Sequence, residues 1–147
     1  MDYKTYQMNL IEIWKPISYA SNYHISTFGK FKKDGVVKPK SKGCDYTSVS
    51  VNGIVRPFHV LVMETFVGVP KNGKKLVVNH RDRNKKNNRL DNLEYITHRG
   101  NMLHVLIEKS DTSSYYPYGR QQLINLIKEY NQEKKKALKC IINVRND

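Results

Sequence analysis

The run from Val77 to Asn101, VVNHRDRNKKNNRLDNLEYITHRGN, constrains this chain more than any other stretch. Leu76-Val77-Val78 is apolar and reads as a short strand that delivers Asn79 and His80. A polar loop rich in Asn and Lys follows, then Leu93-Glu94-Tyr95-Ile96-Thr97, whose apolar and aromatic residues read as a second strand. Thr97 is placed to cap a helix from about His98 to Glu108, its hydroxyl accepting a backbone N–H that the first helical turn leaves unpaired. Strand, loop, strand and helix in that order group three polar residues, His80, Asn92 and Asn101. Asn-rich loops also make Asx-turns for purely local reasons, so the loop alone does not specify a site.

The same residues resemble the HNH nuclease motif, the ββα-metal fold of phage and intron-encoded homing endonucleases. The likeness rests on Val77-Val78-Asn79-His80, on Asn84 with Asn87-Asn88, on Asp91 to Thr97, and on Asn101. Asn92 stands twelve residues after His80, and Asn101 nine after Asn92. The resemblance implies that His80 is the general base, that Asn79 and Asn101 offer oxygens to a metal, and that Asn92 braces the loop so that His80 points correctly. Two departures stand out. Many relatives carry Asp where this chain has Asn79, and an amide oxygen is a weaker ligand for a hard cation than a carboxylate. Arg83 stands where relatives usually have Gly, so a turn that prefers positive φ must change geometry or accept strain.

That chemistry needs those residue types. Phosphodiester hydrolysis requires water to be deprotonated, to attack in line, and the departing 3′ oxygen to be stabilised. An imidazole, with an ordinary pKa of about 6.5, can take the proton near neutral pH. One hard divalent cation, Mg²⁺ or Mn²⁺, can neutralise charge on the phosphate and the leaving oxygen.

Charge points to the same partner. Of 147 residues, 26 are Lys or Arg and 13 are Asp or Glu, a formal net charge of +13. Such an excess favours a polyanion, because each phosphate neutralised releases condensed counterions. Double-stranded DNA is the expected partner, and the chain has no long apolar run to suit a membrane. Cys44 and Cys140 lie far apart without His or Cys at ligand spacing, so neither a zinc site nor a disulfide framework is expected, and a cytoplasmic setting fits. Met1 to Asn9 is polar and does not read as a secretory signal.

Before the motif, the pattern is that of a small N-terminal antiparallel β-sheet. Ile11 to Ile17 alternates up to Pro16, Tyr23-His24-Ile25-Ser26 alternates again, and Asp34-Gly35 and Asn52-Gly53 are two hairpin turn signals. This segment, with Glu12 to Ile17, Tyr23 to Ser26 and Phe28-Gly29-Lys30, resembles the β module that precedes HNH motifs in many phage endonucleases and is used there for DNA contact. Lys30, Lys32, Lys33, Lys38, Lys40 and Lys42 lie in or beside its turns and are expected to contact phosphates; Lys85, Lys86 and Arg89 in the motif loop are expected to contact DNA, and Arg56 is a candidate guanine reader. His59 to Phe66 reads as a core helix with Leu61, Val62, Thr65 and Phe66 on one face, and His59 as a cap or structural histidine. His104, one turn after Asn101, either reaches the site or is a half-buried helix residue.

After Glu108 a Ser- and Tyr-rich linker leads to a helical pattern from Arg120 to Val144, with Leu123, Ile127 and Tyr130 on one face and Leu138 and Ile141 resuming it. This helix either clamps DNA backbone or packs on the core. The expected class is therefore α+β: residues 1–58 a β DNA-binding module, 59–108 the ββα-metal HNH motif with its preceding helix, and 109–147 a linker and C-terminal helical tail. The expected activity is site-specific HNH endonuclease cleavage, one nick per monomer, from a monomer or weak homodimer. The alternatives are a catalytically weak or inactive DNA-binding regulator on the same scaffold, and a basic module for an acidic protein partner.

Overall fold

A computed structural model of the chain describes residues 11–39, 48–70, 75–112 and 119–145. Lys40, Lys42, Cys44, most of the basic turn before Leu76, and Tyr115 to Tyr118 lie outside the described residues. The chain divides into two compact units, one drawn from Met1–Val69 and His80–Glu94, the other from Pro70–Asn79 and Tyr95–Asp147.

In the first unit the β-rich segment resolves into two sheets. β1 (Trp14–Ile17), β2 (Ala20–Ser26), β3 (Phe31–Lys33) and β4 (Val36–Lys38) form an antiparallel meander in chain order. Pro16 sits on the edge strand β1, where a missing N–H costs no ladder bond, and the register slips just after it. β5 (Ser48–Val51) and β6 (Ile54–Pro57) make a separate hairpin. Both two-residue turns are as the sequence predicts: Asp34 and Gly35 have φ of 51° and 79°, Asn52 and Gly53 of 50° and 81°. Two consecutive positive φ values match the twist of the flanking strands.

Pro57 then sets the entry to helix α1 (Phe58–Phe66), its own φ of −65° suiting that position. The helix begins one residue before the expected His59, and its buried face is Phe58, Leu61, Val62 and Met63, with Thr65 and Phe66 only half-buried. It packs on β1, β2 and β6. Phe31 joins helix to sheet, its ring 5.7 Å from Tyr23 and 5.8 Å, edge-on, from Phe58. With Ile17, Ile25 and Val51 these residues form one apolar core, the main favourable term in folding.

β7 (Leu76–His80) pairs with β8 (Leu93–Thr97), and α2 (His98–Thr112) follows directly. In the second unit α3 (Arg120–Arg145) packs along α2. Gly100 allows the approach: a Cβ there would lie 2.6 Å from Ile96 Cγ1 and 2.9 Å from Glu133 Cβ. The apolar stripe expected on α3 is only partly the one that packs. Ile127 and Leu138 are 40% and 54% exposed, whereas Leu126 and Tyr130 are half-buried and Glu133, Ala137 and Cys140 are buried. The physical reason is that a small residue and a buried acid bring two helices closer than branched side chains can, a preference that a hydropathy stripe does not encode. The helix is thus packed against α2. No described helix is long and apolar enough to cross a membrane.

Candidate nuclease site

His80 closes β7 and is 5% exposed. Its Nε2 lies 2.9 Å from Oδ1 of Asn88, which is 1% exposed. The loop between them is held by its own polar groups. The N–H of Arg83 donates to the His80 carbonyl at 3.1 Å, closing a tight turn in which Arg83 has φ of 62°. The position where relatives prefer Gly thus keeps its left-handed geometry and is occupied by an L side chain, a strained arrangement. Asp82 Oδ1 accepts from Asn84 N–H at 2.9 Å, and Asn84 Oδ1 accepts from Lys86 N–H at 3.1 Å. For these two residues the local Asx-turn reading is the correct one.

Asn92 ties the loop to the second strand. Its Oδ1 accepts from the Asp82 N–H at 3.1 Å, and its Nδ2 donates to Asp82 Oδ1 at 2.8 Å and to the Asn87 carbonyl at 2.9 Å. Its own carbonyl accepts from Arg81 N–H at 2.8 Å. Asn87 Nδ2 adds a bond of 2.7 Å to Asp82 Oδ2. Burial pushes the Asp82 carboxyl up, but the bonds from Asn87, Asn84 and Asn92 outweigh it and hold the pKa below its ordinary value. His59 faces this loop from α1, its ring 5.1 Å from that of His80. Burial, and then the charge of His80, lower its pKa from 6.5 to about 4, so His59 is neutral at physiological pH.

In the second unit, Asn79 is buried at the end of β7 with its Nδ2 3.1 Å and its Oδ1 3.4 Å from Nδ1 of His104. The His104 ring stacks on Tyr130 of α3, centroids 5.2 Å apart and planes 21° apart. Asn101 is half-buried on α2, three residues before His104 and therefore on the same helix face. Thr97 caps α2 as expected, accepting from Gly100 N–H at 3.0 Å, while its own hydroxyl donates to Glu133 of α3. Hydrogen bonds from Lys136 and Thr97 hold the Glu133 carboxyl low despite its burial. Among the described residues no three His, Cys, Asp or Glu side chains gather to hold a metal. The two residues that the resemblance nominates for a metal, Asn79 and Asn101, carry amide oxygens, which are hard but neutral donors.

The expected DNA contacts differ in availability. Lys30 is exposed and pairs with Glu12 at 3.0 Å; Lys32 lies 3.8 Å over the Trp14 ring and Lys33 5.3 Å over Tyr23. Lys38, Lys85 and Lys86 are exposed. Arg89 makes two 3.1 Å bonds to Asp91 and stacks 4.1 Å over Phe28. Arg56 is bound to Glu64, which raises its pKa, so reading a guanine would require giving up that partner. The sequence names Asn88 as part of the motif and Tyr130 as part of an apolar helix face but gives neither a role at the site, and it does not single out Glu133. The Asn87-Asn88 pair is visible as part of the motif, but nothing in a linear chain says which of two adjacent amides turns inward.

Comparisons with known proteins find HNH endonucleases. The HNH endonuclease family matches residues 56–103. Two uncharacterized HNH endonucleases of Acanthamoeba polyphaga mimivirus are 37% identical over 103 residues and 34% identical over 105, covering 66% and 65% of this chain. The matched stretch is 31% and 26% of those proteins, so the chain spans about a third or less of the curated relatives it matches. Among solved structures, the HNH homing endonuclease I-HmuI, studied for DNA binding and cleavage, aligns with a TM-score of 0.51 and 26% identity over 80% of this chain and 68% of that one. Residues 56–103 thus match the HNH endonuclease family, and over about two thirds of its length the chain is similar to HNH endonucleases.

Proposed function

We propose that this protein is a site-specific DNA endonuclease in which His80 is the general base and Asn79 and Asn101 offer oxygens to one divalent cation, Mg²⁺ or Mn²⁺. The observation that carries the reading is the buried contact of His80 Nε2 with Asn88 Oδ1. An amide oxygen only accepts, so it favours the tautomer with the proton on Nε2. A neutral imidazole in that tautomer keeps its lone pair on Nδ1, the atom that takes the proton from water. Asn92 holds the loop that aims the ring, so the polypeptide contributes mostly positioning. A cation held by the two amides would neutralise charge developing on the phosphate and the departing oxygen.

In this reading residues 1–58 engage duplex DNA, residues 59–108 cut it, and the tail supports the cutting module. The exposed Lys30, Lys33, Lys38, Lys85 and Lys86 are phosphate contacts rather than base readers. One site per chain cuts one strand, so a monomer or weak homodimer nicks, in the cytoplasm of a host cell. A second reading, a catalytically weak DNA-binding regulator, draws support from the engagement of the Asn79 amide by His104. Purified protein incubated with supercoiled plasmid, with Mg²⁺ or with EDTA, separates them. Open circles formed only with metal support the nuclease. Binding without nicking at any metal concentration supports the regulator. Replacing Lys33 and Lys38 by Ala should flatten the salt dependence of duplex affinity by about 0.9 in slope for each phosphate no longer neutralised.

A further inference from the structure

We infer that Asn88 is a positioning residue for His80, and that the turn between β2 and β3 of the N-terminal sheet holds Asn88 in place. The inference rests on the reading of His80 as general base and adds what sets that base. Gly29, at φ of 69°, lies against Asn88 so closely that a Cβ there would be 2.6 Å from the Asn88 carbonyl oxygen, 2.8 Å from its carbonyl carbon and 2.9 Å from its Cβ. Distances below 3.0 Å against main-chain atoms cannot be relieved by turning a side chain, and only Gly adopts this φ without cost. The turn therefore seats directly on the residue whose amide meets the imidazole.

Its neighbours fix the seat on both sides. The Leu90 N–H donates to the Thr27 carbonyl at 2.8 Å, and the Arg89 guanidinium lies over the Phe28 ring while gripping Asp91. Residues 27–29 thus clamp residues 88–90 by a backbone bond, a stacked cation and a close approach. The turn itself is rigid: the buried Ser26 hydroxyl oxygen accepts from Phe28 N–H at 3.2 Å and Lys30 N–H at 3.0 Å, and the Ser26 carbonyl accepts from Gly29 N–H at 2.9 Å. Lys30, a proposed phosphate contact, leaves this same turn. Any DNA contact that shifts the turn shifts Asn88 and, through it, the nitrogen on which His80 carries its proton. Local packing supplies this coupling, because a sub-ångström movement at a close-packed backbone has nowhere to dissipate.

The test reads the tautomer directly, by ¹⁵N NMR of the His80 ring in the wild type, Asn88→Leu, Asn88→Asp and Gly29→Ala, beside kcat and KM for nicking. The wild type should carry its proton on Nε2. Asn88→Leu should lose that signature, and kcat should fall about tenfold to a hundredfold while KM for DNA holds. Asn88→Asp, which keeps an acceptor oxygen there, should retain the Nε2 proton and a kcat above that of the Leu variant. Gly29→Ala, which leaves every polar group in place, should move the His80 signals in the same direction as Asn88→Leu. A wild type protonated on Nδ1 would overturn the inference without any variant having to fold. So would an Asn88→Leu protein with unchanged ring signals and kcat. If the tautomers behave as expected and no form of the protein nicks DNA, positioning by Asn88 stands and the nuclease reading falls.

Discussion

Asn79 and His80 are consecutive residues at the end of one strand, yet different parts of the chain hold them. His80 is met by Asn88, which the N-terminal sheet clamps through Thr27, Phe28 and Gly29. Asn79 is met by His104, which stacks on Tyr130 of the C-terminal helix. A strand alternates its side chains between two faces, so neighbours in sequence must find their partners in different places. The difference teaches that the proposed base and the proposed metal ligand are set by separate supports, so that each can be damaged without the other. The C-terminal helix, which carries no motif of its own, thereby acquires a place in the proposed chemistry.

The largest expected effect tests the first support at its end point. His80→Ala should lower nicking by about a hundredfold or more, since a positioned general base contributes that much. Affinity for duplex DNA should be nearly unchanged, because the buried imidazole acts on water. Gel-shift titration beside plasmid nicking measures both, and a variant still cutting at more than a few per cent of the wild-type rate would sink the assignment.

A smaller effect tests the second support. In His104→Ala the Asn79 amide loses the nitrogen that orients it, and the Mg²⁺ concentration for half-maximal nicking should rise about tenfold. Tyr130→Ala should move it the same way and less far, since it removes only the stacking partner of the histidine. At saturating Mg²⁺ both should recover most of their kcat, which His80→Ala never does. If the Mg²⁺ midpoint stays put in both variants, Asn79 is held for structural reasons alone and the two supports are not equivalent.

How much of this is legible in the sequence follows from the range of each interaction. The motif elements, the Thr97 cap and the two hairpin turns are local, and each appears where propensity and spacing put it. The identity of His80 and Asn92 as buried, bonded residues also follows from the motif. What is not legible is long-range: Gly29 against Asn88, Tyr130 against His104, and Thr97 bonded to Glu133 join residues far apart in the chain. The packed face of α3 departs from the expected stripe for a related reason. It contains a small Ala and a buried Glu, and the place of the Glu depends on Gly100 and Thr97 of other elements.

The pH dependence of stability should belong mainly to the unit that holds His80. His59 has a depressed pKa, so the native protein keeps it neutral while the unfolded chain takes up a proton. Its contribution is complete above about 6.5 and is lost as the pH falls toward about 4. Asp82 adds a second decline below its ordinary value of 3.8, because its native carboxylate is favoured by hydrogen bonds that protonation breaks. Urea unfolding between pH 7 and pH 4 should show the first decline, and His59→Gln should flatten it. A curve that is the same for both proteins would remove His59 from the account.

The smallest expected effect concerns Arg83, and it asks whether the loop of His80 can be eased without touching the metal side. Holding an L residue at φ of 62° costs about 1–2 kcal/mol, and Gly removes that cost while adding about 0.5–1 kcal/mol of unfolded-state entropy. Arg83→Gly should therefore be neutral or more stable by up to about 1.5 kcal/mol, a rise of several degrees in Tm at most. Arg83→Asn, a residue that tolerates this region, should lie between, and Arg83→Val should be the least stable, since a β-branched side chain is a true outlier there. The Arg83 N–H bond to the His80 carbonyl persists in all three, so the turn keeps its closure and the ring keeps its setting. Thermal melts rank the three proteins, and Mg²⁺ titration of nicking should give one midpoint for all of them. If that midpoint shifts with the strain in the turn, the supports of Asn79 and His80 are coupled through the strand they share, and their independence fails.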